Sequence, residues 1–168
     1  NISGNGDTGI HLFSSHNNTL NSNIIHSNEN VAGIALFTSS GNTIVNNSIM
    51  GNENAGVLFG ILFGSGPSNM NTLAENTIGN TKQNYGIHLR RGNNNIIYHN
   101  NLVNNPRSRQ VDGGFGNTGN QWSFNNEGNY YSDHSCIGNR ICSNPYIFFG
   151  GNDSYPFREQ NDLWYPEP

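Results

Sequence analysis

Gly33-Ile34-Ala35-Leu36, followed by Asn42-Thr43-Ile44, Asn47 and Ile49, is a phrase that this chain uses four times. The first use runs Gly9-Ile10-His11-Leu12, Asn18-Thr19-Leu20, Asn23 and Ile25. The third starts near Gly56 and reaches Asn71-Thr72-Leu73, Asn76 and Ile78; the fourth runs Gly86-Ile87-His88-Leu89, Asn95-Ile96-Ile97, Asn100 and Leu102. The copies recur about every 23–24 residues, with roughly six extra in the third, and a fixed period of this size marks a solenoid. Inside a copy the apolar residues alternate, Ile10 and Leu12 facing one way and His11 the other. Thr43-Ile44-Val45 and Ile96-Ile97-Tyr98 are β-branched or aromatic. No segment keeps the i, i+3, i+4, i+7 spacing of a helix. One copy therefore predicts one coil of about three short strands, stacked in parallel on the next.

Aligned positions become columns along the axis. Ile10, Ile34 and Ile87 are expected inside, as are Leu12, Leu36 and Leu89. Leu20, Ile44, Leu73 and Ile97 form a further inner column, and Ile25, Ile49, Ile78 and Leu102 another. Only 33% of the chain is apolar, which a solenoid tolerates because neighbouring coils share a thin filling. Two asparagine columns, Asn18/Asn42/Asn71/Asn95 and Asn23/Asn47/Asn76/Asn100, keep the same register; a looser one holds Asn5, Asn28, Asn52, Thr81 and Asn105. Asn tolerates left-handed backbone, so these columns predict corners whose amides bond to one another along the stack.

At 168 residues the chain is one structural domain, expected as β-helix coils over 1–112 and a capping segment over 113–168. Seven Lys and Arg against eleven Asp and Glu give a net charge of -4. That leaves no basic face for nucleic acid, and no apolar run is long enough for a membrane span. Asn1-Ile2-Ser3-Gly4-Asn5 reads as the end of a coil rather than a signal peptide. Its open edge predicts a cover: upstream sequence, or another subunit packed end-on in a head-to-tail filament. Cys136 and Cys142 in a Gly/Asn/Ser-rich loop predict a local disulfide and an oxidising compartment; free thiols or a metal are the other readings. Sequons stand at Asn1, Asn17, Asn46 and Asn152, as chance allows in so Asn-rich a chain.

The tail is different in kind. Asn120-Gln121-Trp122, Gly128-Asn129-Tyr130-Tyr131-Ser132-Asp133, Pro145-Tyr146 and Asp153-Ser154-Tyr155-Pro156 hold most of the tyrosines and, with Trp164, both tryptophans. Every solenoid end exposes strand edges and a core cross-section, and an aromatic tail covers them. Repeat and tail together resemble the NosD-like right-handed parallel β-helix family of carbohydrate-binding and sugar-hydrolase-type repeats, in the version common in archaeal surface proteins. The resemblance implies an all-β right-handed parallel β-helix of about four to five coils with an aromatic C-terminal cap. It also implies an Asp/Gly-rich, calcium-suited loop between Asp133 and Pro145. This chain has cysteines and Arg140 there instead, so a disulfide is expected as the clip.

Function is less legible. Asp7, Glu29, Glu53, Glu75 and Asp112 precede the tail without forming the carboxylate pair that a glycosidase needs, and Glu29 and Glu53 read as corner charges. His11 and His88 share an outward column too far apart for one ion. NosD is associated with copper-enzyme maturation, but Met50 and Met70 are isolated and no Met/His or Cys/His cluster supports a soft metal. Arg90, Arg91, Arg107 and Arg109 gather four of the seven basic residues near the fourth coil, where they suit an acidic glycan or carboxylate. The insert Phe59–Pro67 offers Phe59 and Phe63 as contact residues if they are exposed. The expectation is a non-enzymatic extracellular or cell-surface module, with the periplasm as the alternative, touching a glycan or a neighbouring subunit and needing no metal or cofactor. A polysaccharide lyase or hydrolase fragment and a periplasmic copper-maturation factor are the alternatives.

Overall fold

A computed structural model describes residues 1–60, 66–106 and 110–160. Phe63, Arg107, Arg109 and Trp164 lie outside the described residues. Strands rotate through three parallel sheets. The first contains β1 (Ile2–Ser3), β4 (Ile24–His26), β7 (Ser48–Met50), β10 (Thr77–Gly79), β13 (Asn101–Val103) and β15 (Tyr130–Tyr131). The second contains β2 (Ile10–Phe13), β5 (Ala32–Phe37), β8 (Ala55–Phe59), β11 (Ile87–Leu89) and β14 (Val111–Asp112). The third contains β3 (Thr19–Asn21), β6 (Thr43–Val45), β9 (Thr72–Ala74) and β12 (Ile96–Tyr98). An antiparallel ribbon, β16 (Tyr146–Phe148) and β17 (Gly151–Asp153), follows. The chain visits the sheets in turn as a right-handed parallel β-helix.

The register follows the repeat. Ile10 pairs with Ile34, Ile34 with Val57, Val57 with Ile87 and Ile87 with Val111. Ile25, Ile49, Ile78, Leu102 and Tyr131 line up in the first sheet, and Leu20, Ile44, Leu73 and Ile97 in the third. From Ile25 onward these columns are buried, each side chain contributing about 1.5–3 kcal/mol of transfer free energy. The repeat's glycine has a packing cause. A Cβ on Gly33 would sit 2.6 Å from the Ile49 methyl and 2.9 Å from the Gly56 carbonyl oxygen, so this position of β5 has room only for hydrogen.

The asparagine columns are hydrogen-bonded ladders. Asn23 donates its backbone N–H (2.9 Å) and Nδ2 (3.0 Å) to Oδ1 of Asn47. Asn47 does the same to Asn76, Asn76 to Asn100 and Asn100 to Asn129. Asn18, Asn42, Asn71, Asn95 and Asn120 form a second ladder. The left-handed residue is not the ladder asparagine but the one before it: Ser22, Asn46, Glu75 and His99 have φ of 56°, 55°, 58° and 56°. The preceding residue turns the chain, and the asparagine then points inward to bond.

The coil stack also runs past residue 112. Gln121 bridges to Ile96, and β15 pairs with β13, so the capping segment begins by continuing two of the sheets. Asn120 and Asn129 carry both ladders into it. Trp122 packs edge-on to Phe148 at 4.6 Å and Tyr131 stacks on Tyr146 at 3.8 Å, closing the C-terminal face. At the opposite face Ile2, Ile10, Leu12 and Leu20 are only partly buried.

Candidate functional site

The outer face of the second sheet changes character along the axis. Its central column runs His11, Ala35, Leu58, His88, Asp112 by register. Small and apolar side chains at Ala32, Ala35, Phe37, Ala55 and Leu58 form a second hydrophobic cluster outside the β-helix core. His11 stands edge-on to Phe37 at 4.8 Å. Beyond Leu58 the surface turns polar: His88 Nε2 lies 3.5 Å from Asp112 Oδ2, while Asp112 Oδ1 accepts the Gly114 N–H at 2.8 Å. Between these regions is a groove of ≈ 190 Å³ with Val31, Ala55 and Leu58 as its apolar side. Asn30, Asn54, His88 and Arg90 supply its polar groups. Three successive coils build it, so no local stretch of sequence announces it.

Arg90 is exposed at this groove and forms no ion pair with any described residue; Arg91 beside it is also exposed. Phe59 is elsewhere. It is fully buried and pairs with Leu36 and Leu89, filling the inner leucine column in the third coil. The insert therefore begins after Gly60, and Phe59 is core rather than a contact residue. Asn1, Asn17 and Asn152 are exposed and Asn46 is half-buried.

The acidic groups are held by structural partners. Lys82 Nζ lies 2.9 Å from Glu53 and Gln83 donates to the same carboxylate, which Lys82 keeps below the usual carboxylate range. Glu127 accepts from Arg140 and bonds His99 at 2.8 Å; Arg140 lowers its pKa. The guanidinium of Arg140 also lies 5.0 Å from the Phe157 ring centre, tying the Cys136–Cys142 disulfide loop to the last coils. Nothing in the sequence points to this clip, because its parts come from three separate segments. Asp153 is buried beneath Gly128, and burial pushes its carboxyl up to about 6. It follows Asn129 by one repeat period, a signal that was present in the spacing.

A capped, laddered right-handed parallel β-helix with a groove on one sheet defines the class. The chain belongs to the NosD family: the family model described as "Periplasmic copper-binding protein (NosD)" matches residues 1–136. No curated protein and no solved structure matches it. The family is periplasmic, the disulfide fits an oxidising compartment, and no described helix is long and apolar enough to cross a membrane. The chain accordingly works outside the cytoplasm.

Proposed function

We propose that this chain is a non-enzymatic β-helix module that contacts a glycan through the groove on the second sheet. The observation that supports this reading is Arg90, a guanidinium with no ion-pair partner among the described residues, beside an apolar wall and two asparagine amides. Val31, Ala55 and Leu58 suit the C–H face of a sugar ring, Asn30 and Asn54 suit its hydroxyls, and Arg90 suits a carboxylate. A glycan with acidic sugars meets all three demands. Glu53, Asp112 and Glu127 are tied to structural partners, which favours binding over hydrolysis. Asn152, exposed with Nδ2 donating to Ser154 Oγ at 2.9 Å, is the sequon we propose for modification in a glycosylating host.

Calorimetry with acidic and neutral oligosaccharides tests the reading. The acidic series should bind, and Arg90→Ala should weaken it by about ten-fold, the loss of one charge-assisted contact. No binding by either series overturns the proposal. Cleavage of the glycan, lost in Asp112→Asn, would replace it with the enzymatic reading.

The family description supports copper as a second reading. Its donors do not fit here. Among the described residues no three His, Cys, Asp or Glu side chains converge on one point, and both cysteines are in the disulfide. Stoichiometric copper binding by the oxidised chain would favour that reading nonetheless.

A further inference from the structure

Asp153 is the last rung of the longest asparagine ladder, and it differs from every rung before it. From Asn47 to Asn129 each asparagine accepts two N–H groups on Oδ1 and passes its own N–H and Nδ2 to the next coil. An aspartate accepts and has no amide to pass on. Oδ2 of Asp153 accepts the Asn129 N–H at 2.6 Å, Asn129 Nδ2 at 3.2 Å and the Tyr131 hydroxyl at 3.2 Å. Oδ1 accepts the Tyr155 N–H at 2.9 Å. Four donors converge and none is charged.

The surroundings are closed. Asp153 has no accessible surface, and a Cβ on Gly128 would overlap both carboxyl oxygens, so the glycine leaves room for the carboxyl and nothing else. Tyr131 is the ionisable group in direct contact, and the buried Asp153 charge helps hold that phenol protonated, after burial itself. Tyr146, stacked on Tyr131, turns its hydroxyl toward Asp133, with His134 edge-on to its ring. Glu127, next to Gly128, is engaged by His99 and Arg140. Asp153 thus forms no salt bridge with any described Lys, Arg or His. When ionised it is a buried charge held by these four donors alone; their hydrogen bonds favour the ionised form, and burial, the larger effect, favours the proton.

We propose that Asp153 is a proton-operated latch on the C-terminal cap: a proton on its carboxyl tightens the closed cap, and its ionised form lets the cap open more readily. Opening would swing β17 and the Tyr155–Phe157 segment away from β15, uncovering the Tyr131 and Trp122 end of the core. The sign follows from linkage. The folded group takes up its proton at about pH 6 and the unfolded group near 3.8. Its stabilising contribution is therefore complete below the unfolded value and lost as pH rises through about 6. Glu53 and Glu127, both shifted downward, lose their contributions only in more acidic solution. The interval from about pH 5 to about 7.5 isolates Asp153 from them. For a protein outside the cytoplasm, that interval is set by the surroundings.

The test is carbon-detected NMR of the Asp153 carboxyl in the whole chain, with amide hydrogen exchange at Asn129 and Tyr155. The carboxyl should titrate near pH 6. After correction for intrinsic exchange chemistry, protection at both amides should rise on going from about pH 7.5 to about 5, tending toward roughly a hundred-fold below about pH 4. Asp153→Asn should remove that pH dependence while leaving the groove's glycan affinity unchanged. Titration below about pH 4.5, or protection that is flat or falls on acidification, overturns the latch. The carboxyl titration needs only the wild-type chain, so it decides the matter even if Asp153→Asn does not fold.

Discussion

One ladder asparagine does the work of several residues. Asn76 receives the Asn47 N–H and Nδ2, and its own Nδ2 serves Oδ1 of Asn100 and the carbonyls of Ile44 and Ala74. Asn76→Ala would strand these buried partners at about 1–3 kcal/mol each, softened where water enters. We expect a loss of about 3 kcal/mol or more, measured by urea unfolding, with a surface change such as Asn21→Ala near neutral. Sequence spacing revealed the ladders because an asparagine that recurs in register with a core column must face the same neighbour in every coil, and an inward amide there needs a partner along the axis. It misplaced the left-handed backbone, because Asn favours that conformation on average and the residues that adopt it here include Ser22, Glu75, Met70 and His99. Tertiary pairing on both sides over-determines those corners and overrides local preference.

At the scale of an element, the disulfide between Cys136 and Cys142 closes the short loop that follows Asp133. Its partners make it a clip: the Cys142 N–H donates to the Pro156 carbonyl at 2.8 Å, and Arg158 reaches the Gly138 carbonyl at 2.7 Å. Closing so short a loop stabilises by about 2 kcal/mol in the chain-entropy account. Reduction should lower the thermal midpoint by several degrees, whereas a chelator should not move it. The opposite pattern would return the loop to metal. The third coil shows where legibility ended among the elements. A phenylalanine standing where the other copies have leucine looked like the start of an insert, although β8 keeps its register through Phe59. The groove was hidden for a related reason. Asn30, Leu58 and Arg90 are neighbours only across the long third copy, and none of those residue types is unusual at its own position.

At the scale of the coil stack, burial is uneven along the described residues. The first coil has half-exposed core residues and a single neighbour, whereas the coils around β7 and β10 are packed on both sides. Solenoid stability is a sum over neighbouring coils. Amide exchange should therefore be fastest in β1–β3, slow in β6–β10, and intermediate near the cap; uniform protection would mean that the stack unfolds as one unit. Leu73→Ala, in the protected middle, should cost about 2–5 kcal/mol. Leu20→Ala, the same column at the open end, should cost visibly less.

The ladder running from Asn23 to Asn129 also has an electrical consequence. Every side-chain amide in it points the same way, oxygen toward the first coil and hydrogens toward the last. Their dipoles add head to tail, as peptide dipoles do along a helix. The stack is thereby polarised, with its positive pole at the position where the chain places an aspartate. Coil number is then an electrostatic variable: each rung in the row raises the potential at that carboxyl and weakens its hold on a proton.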